Sequence, residues 1–396
     1  MGKPKPFRIA LYTTYYAAGD GMGRVLRYKI AALDQLAETQ PVELRVFCGG
    51  SDFDDPRVTI VDKVPAITGD PFFQAADFHH YEFGWYFRPF ETIRHLPPKA
   101  RSSVFFHGIT PPQWASNSEG AVQSLKQRRL LFRTDAICVA SPFARDDLLS
   151  FGIHEDRISI HPLPLSLSPR EGQPASNPEV IELIHVARLS PNKGLFDLLQ
   201  ALEIESERGL SFRLRIAAHP ASATPSYLAE LQRRIDSPAI RGRVQILGHL
   251  DDTALSALYA EADAIVLPTY HDTYCLPVLE AFAHGCHVIA YDSSNLPHIT
   301  NGLASLVPTG DVPALADAIG RFAAELSSSG RTDAMITTSS GPVTLDEHHL
   351  HMTNYARGFT AENFKRGFLK HVDGVLAAPK VRPGVFARLR TAMARA

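Results

Sequence analysis

The sequence predicts an α/β protein of two domains, each a parallel sheet doubly wound by helices. Three observations carry this. The chain has 396 residues, and single hydrophobic cores stop growing near roughly 250–300 residues. The order strand, glycine-containing loop, helix, strand opens the chain, and the same alternation restarts after residue 180. Between the two runs lies HPLPLSLSPREGQPASNP, residues 161–178, rich in Pro and Ser as segments between domains are.

Residues 7–15 (FRIALYTTY) read as a buried first strand. Met22, Val25, Leu26, Ile30, Leu33 and Ala37 then recur at spacings of three and four, which predicts a helix over 22–38. Strands follow at 42–47, 103–106 and 136–140. Beyond the break, strands are expected at 181–187, 212–218, 243–247, 264–268, 287–291 and 304–308. They alternate with helices, one opened by Asp251 or Asp252, one beginning near Pro277 and one from Pro313. Residues 327–344 are low in large apolar side chains and read as a loop. Helices are predicted again at 348–357 and 360–376.

Composition sets the class. Hydrophobic residues make up 45% and charged residues 21% of the chain, with a net charge of -2, which is ordinary for a soluble globular protein and gives no basic field for nucleic acid. Cys48, Cys138, Cys275 and Cys286 are scattered without a CxxC spacing, against a disulfide framework or a structural zinc site and in keeping with a reduced, cytoplasmic setting. The basic, then apolar, start runs into a glycine loop and not a cleavage site, so it reads as a strand. His79-His80 and DEHHLH at 346–351 hold metal-binding side chains without a third ligand in place and read as solvated histidines. The aromatic run YEFGWYFRPF at 81–90 reads as core. LKQRRLLFR at 125–133 and the basic tail 380–396 leave two readings open, peripheral contact with anionic membrane lipid or simply a basic outer face.

The chemistry concentrates in PTYHDTYCLPVLEAFAHGCHVIAYDSSNLPHI, residues 268–299. A buried strand ends at Pro268, a loop holds Asp272, Thr273, Tyr274 and Cys275, Pro277 takes the first position of a helix, and Gly285 closes it. A strand end, a loop and a helix N-terminus make the usual ligand crevice of an α/β domain, and free N–H groups there suit phosphate. Glu280 falls in the first turn, where a carboxylate also complements the helix dipole.

This segment resembles the signature of retaining glycosyltransferase family 4, of GT-B fold, with two acidic residues seven residues apart. Glu280, followed by AFAHG, matches the second, which the resemblance assigns to the donor ribose. Asp272 stands where the first is usually Glu and implies contact with sugar hydroxyls. Tyr274-Cys275 stands at the family's aromatic-Gly step, and backbone N–H groups through Leu276 are implied to contact sugar and phosphate. HVARLSPNKG at 185–194 supplies Arg188 and Lys193, which the resemblance places on the donor diphosphate. As loop charges they are expected to carry little packing.

The weaker matches lie in the first half. Gly19, Gly21 and Gly23 form GxGxG, not the dinucleotide fingerprint. In the resembled family a loop here closes over the donor phosphates, which implies roles for Gly21, Gly23 and Arg24. His107, at the end of VFFHG, is the implied contact to the donor sugar, and Ser141 is a looser match.

The resemblance implies two facing Rossmann-like domains, 1–170 on the acceptor side and 171–358 on the donor side, with 359–396 a helix and tail crossing back to the first. The expected activity is transfer of a hexose from a UDP- or GDP-sugar to a glycan or lipid-linked acceptor, with retention and without a cofactor or divalent metal. Another GT-B enzyme, such as an epimerase or phosphorylase, and a non-catalytic nucleotide-sugar binder are the alternatives, since a fold does not fix a function.

Overall fold

The first sheet is parallel and built from β1 (Phe7–Thr13), β2 (Val42–Cys48), β3 (Val58–Ile60), β4 (Phe78–Phe83), β5 (Arg101–Phe106), β6 (Ala136–Val139) and β7 (Ile158–Ile160). The protein is described by a computed structural model over residues 5–18, 21–167, 180–220, 223–327 and 334–380. Gly19, most of the Pro/Ser-rich break and the tail beyond Lys380 lie outside the described residues.

Strand order is β3-β2-β1-β4-β5-β6-β7, so the winding reverses between β1 and β4. Helices α1 (Gly21–Ala37), α2 (Val64–Thr68), α3 (Pro71–Ala75), α4 (Ser118–Gln127) and α5 (Pro142–Ser150) belong to this part of the chain. The unit comprises residues 1–109, 119–163 and 361–396. Its last element is therefore the returning helix, Ala361–Ala377. Phe368, Val372 and Val375 of that helix share an apolar cluster with Leu26, Ile30 and Leu33 of α1.

The second sheet is also parallel: β8 (Ile181–Val186), β9 (Phe212–Ala217), β10 (Val244–Gly248), β11 (Ala264–Leu267), β12 (His287–Tyr291) and β13 (Ser305–Val307). Its order, β10-β9-β8-β11-β12-β13, reverses between β8 and β11. The helices are α6 (Leu195–Glu207), α7 (Pro225–Ile235), α8 (Asp252–Glu261), α9 (Leu276–Ala283), α10 (Leu296–Thr300), α11 (Val312–Ser327) and α12 (Leu345–Ala356), after which the returning helix is α13. This unit holds residues 110–118 and 164–360. β11 and β12 are buried at every position, as strands covered on both faces must be, and their runs AIVL and HVIAY are accordingly almost unbroken in apolar residues. Asp251 opens α8 by accepting from Ala254 N at 2.8 Å.

Several expectations are corrected. Residues 327–344 are not simply a loop, because Met335–Thr338 and Gly341–Thr344 pair as an antiparallel hairpin, β14 and β15. His79, His80 and His348 are not solvated, whereas His351 is exposed. His79 is fully buried and lies 2.8 Å from the Tyr12 hydroxyl. His348 is buried with its Nε2 2.8 Å from His287 Nδ1. Ser305 spends its proton on Thr337 O at 2.7 Å, so it accepts from His287 Nε2 at 3.0 Å. His287 Nδ1 is then the bare nitrogen, and His348 Nε2–H donates to it. Of the aromatic run, Tyr81, Phe83, Phe87 and Phe90 are core. In the basic segment Arg128, Leu130 and Leu131 are buried while Lys126 and Arg129 are exposed. No helix among the described residues is long and apolar enough to cross a membrane.

Burial holds these imidazoles neutral. It lowers His79 and His348 to about 3, and His80 and His185 to about 4. Unfolded, each takes a proton near pH 6.5. Below that pH the unfolded chain binds more protons than the folded one, so stability is lost as pH falls from about 6.5 toward 4. Each tenfold difference in proton affinity is worth about 1.4 kcal/mol. Melting temperature should therefore drop steeply between pH 7.5 and 5.0. A flat melting temperature across that interval would show that the buried histidines are not held neutral.

Candidate active site

In the second unit the strand order reverses between β8 and β11, and the loops leaving their C-terminal ends are the two segments singled out by sequence. The usual crevice of a doubly wound sheet lies at such a point. The turn Pro191–Lys193 sits directly on the loop after β11. Asn192 Nδ2 donates to His271 O at 2.9 Å, and Tyr270 N donates to Asn192 O at 2.8 Å. Gly194, at φ 64°, makes the approach: a Cβ there would lie 1.8 Å from the carbonyl oxygen of Pro268. No other residue type fits that position.

This approach brings Lys193 and Asp272 together. Lys193 Nζ donates to Asp272 Oδ2 at 2.5 Å, with side chains only 13% and 18% exposed. The other oxygen, Oδ1, accepts from Tyr274 N and Cys275 N, each at 3.1 Å. Burial disfavours the Asp272 charge, but Lys193 and the Tyr274 N–H outweigh it and hold the carboxyl below its ordinary range. Lys193 is thus no free loop charge. Removing it leaves a largely buried carboxylate without its partner, which costs stability. Arg188, by contrast, is exposed and makes no ion pair with another described residue.

Helix α9 starts at Leu276, so Pro277 is its second residue and Glu280 its fifth. Glu280 is therefore beyond the first turn and does not serve the helix dipole. It is buried, accepting from Ser166 Oγ at 2.8 Å and from Tyr259 OH at 3.0 Å. Tyr259 and Ser166 are supports that the sequence did not mark. Tyr274 is buried, and its carbonyl accepts from Asn295 Nδ2 at 3.0 Å. Cys275 caps α9 at φ 70°, ψ 66°. Left-handed backbone there costs a non-glycine residue roughly 1–2 kcal/mol.

The remaining expected residues belong to the first unit. Gly21 and Gly23 lie within α1 and not in the loop before it. Gly23 has a packing reason to be glycine, since its Cβ would lie 2.0 Å from Ala17 O. Arg24 follows on the same helix. Ser141 caps α5, accepting from Ala144 N at 3.1 Å. His107 follows β5, and its Nε2 lies 2.8 Å from Glu82 Oε2. Glu82 is fully buried on β4 and was not foreseen. Its other oxygen accepts from Lys29 Nζ at 2.6 Å, and Lys29 is itself fully buried on α1, 2.9 Å from His80 Nε2. Burial raises the cost of the Glu82 charge, and Lys29 and His107 overcome it, holding the carboxyl well below its ordinary range. Ionised Glu82 can only accept, so His107 Nε2 carries a proton and the ring is held in one orientation.

Two doubly wound parallel units, with a last helix returned to the first, define the GT-B class of fold. Residues 181–325 match the family described as glycosyl transferases group 1. It is 28% identical over 195 residues to an MMP alpha-(1->4)-mannosyltransferase of Mycolicibacterium hassiacum, covering 48% of this chain and 45% of that protein. It is 20% identical over 331 residues to O-antigen chain mannosyltransferase B of Escherichia coli, covering 73% and 84%. The chain thus spans about half the length of the first of these relatives. In fold it is similar to a glycosyltransferase from Rickettsia africae, with a TM-score of 0.71 at 15% identity over 95% of this chain and 100% of that one.

The strained cap gives a stability test. Cys275→Gly should leave the melting temperature nearly unchanged, because roughly 1 kcal/mol of released strain is offset by the lost buried sulfur. Cys275→Val should lower it, since a β-branched side chain is poorly tolerated at positive φ. Equal melting temperatures for the Val variant and the wild type would mean that the loop leaves the left-handed conformation without cost.

Proposed function

We propose that the chain is a retaining hexosyltransferase that takes its sugar from a nucleotide-diphosphate donor without a divalent metal. The observation that carries this reading is the meeting of Lys193, Asp272 and the α9 N-terminus, with Arg188 exposed on the same turn. In transfer the glycosidic bond breaks, the electron pair leaves with the diphosphate, and negative charge accumulates there. Arg188 and Lys193 are the cations that would meet it, in the place a metal ion takes elsewhere. Asp272, held ionised, would accept from sugar hydroxyls. Glu280, fixed by Ser166 and Tyr259, would accept from the ribose. His107 would position the sugar, and Gly21, Gly23 and Arg24 would border the phosphates. The mannosyltransferase relatives favour a hexose, with a glycan or lipid-linked acceptor.

The donor base is read from a thermal-shift screen against UDP-, GDP- and ADP-sugars, because a ligand bound only by the native state raises its stability. Turnover of the donor so found should persist in EDTA. Activity that disappears in EDTA and returns with magnesium or manganese would overturn the metal-free reading.

The two cations separate chemistry from stability. Arg188→Ala should lower kcat roughly 100- to 1000-fold, about 3–4 kcal/mol, with an unchanged melting temperature. Lys193→Ala should lower kcat alike and also cost about 1–3 kcal/mol of stability, through the stranded Asp272. The double variant should be less than additive in rate, because both act on one diphosphate. Steady-state kinetics with melting curves decide it, and near wild-type kcat in both single variants would mean that the diphosphate is held elsewhere.

A further inference from the structure

Three side chains with metal-binding atoms meet beneath α13 in the first unit, and the proposed transfer uses none of them. Cys138 lies on β6, His161 directly follows β7, and His371 is on α13. One ligand atom from each falls within 4.8 Å of the other two. Cys138 and His371 are buried, while His161 is half-buried and gives a route in from solvent.

Ser159 on β7 joins the group. Its hydroxyl donates to Cys138 Sγ at 3.8 Å, and its oxygen lies 3.2 Å from His371 Nδ1 and 2.9 Å from His161 Nε2. A hydroxyl has one proton. With that proton on the sulfur, both facing ring nitrogens must be N–H donors. His371 Nε2 is then a bare acceptor, and it is buried with no hydrogen-bond partner. A buried unsatisfied polar atom costs roughly 1–3 kcal/mol, so hydrogen bonding alone leaves the cluster poorly satisfied.

We propose that Cys138, His161 and His371 bind a zinc-class divalent cation, with the Ser159 oxygen or a water as the fourth ligand. One thiolate and two imidazoles form a borderline-soft set that suits zinc and not magnesium or calcium. Zinc bonds of about 2.0–2.3 Å put neighbouring ligand atoms roughly 3.3–3.6 Å apart. The separations here, 2.9 to 3.8 Å from Ser159 and at most 4.8 Å among the other three, need a closure of about an ångström. Binding displaces the Cys138 proton to solvent and shifts ring protons so that each imidazole offers a bare nitrogen. Lys29, the cation whose field reaches all three groups, is neutralised by Glu82 at 2.6 Å and does not bar a second positive charge.

The linkage explains what the site would do. Cys138 and His161 belong to the first passage of the chain through this unit, and His371 to the helix that returns 210 residues after His161 (371 less 161). A metal bond would fasten that helix to β6 and to the end of β7, adding to the packing of Phe368, Val372 and Val375.

The test uses the full chain loaded with zinc or cobalt. About one equivalent of zinc should survive dialysis and leave with a strong chelator. Chelation should lower the melting temperature by several degrees and zinc should restore it. The cobalt form should show visible bands of a tetrahedral site and a near-ultraviolet thiolate-to-cobalt band. Cys138→Ser should lose the thiolate band, and His371→Gln should lose the metal-dependent part of the melting temperature. No retained zinc together with no thiolate band in the wild type would overturn the proposal, whatever the variants do. Equal zinc in wild type and folded Cys138→Ser would place the metal elsewhere and overturn it too. Donor binding to the second unit is measured separately, so failure of this site leaves the proposed transfer untouched.

Discussion

The second unit depends on one close approach, the turn after β8 pressed against the loop after β11. It exists because Gly194 has no side chain where the Pro268 carbonyl passes. Everything at the candidate site follows from it. Asn192 donates to the His271 carbonyl and accepts from Tyr270 N across the contact, and Lys193 is carried to within 2.5 Å of Asp272. Asp197, in the first turn of α6 just beyond, accepts from Tyr270 at 2.6 Å and from Tyr291 at 2.7 Å, and so anchors the far side. Two loops 79 residues apart in sequence become one surface at the reversal of the sheet.

The first unit is organised around a buried charge. Lys29 and Glu82 are both fully excluded from solvent, and such a pair is not in itself evidence of stability, because desolvation opposes the attraction. Its geometric effect is clearer. Glu82 spends one oxygen on Lys29 and the other on His107, while Lys29 also meets His80 and lies 4.0 Å over the Phe105 ring. A helix residue, three strand residues and a loop histidine are thereby held in fixed relation, which a purely apolar core would not specify.

The parallel framework was legible because many of its strands carry clustered or alternating apolar residues bounded by turn residues. The second unit shows this best, where AIVL and HVIAY leave little choice. β4 was not legible. Its six residues, FHHYEF, are all buried, yet two histidines and a glutamate break the apolar pattern, so the central strand of the first sheet was split between a histidine pair read as solvated and an aromatic run read as core. The same cause hid Glu82, Lys29 and the Cys138–His161–His371 group, because spacing along a chain does not show polar side chains meeting across strands. The sequence singled out Glu280, but its hydrogen-bond partners Ser166 and Tyr259 lie 114 and 21 residues away and carry no local signal.

The two departures of the loop from the family pattern, aspartate at 272 and cysteine at 275, are coupled in the structure. The short side chain of Asp272 brings Oδ1 within 3.1 Å of both Tyr274 N and Cys275 N, a turn that the carboxylate closes on its own backbone. A glutamate reaches one methylene further and does not close that turn in the same way. The N–H held by Asp272 belongs to the residue at φ 70°, so the carboxylate helps to keep a side chain in a conformation that glycine adopts freely. Lys193 in turn holds the carboxylate ionised and facing the loop. Cation, carboxylate and strained cap therefore meet at Asp272, whose Oδ2 accepts from Lys193 and whose Oδ1 accepts from the N–H groups of Tyr274 and Cys275.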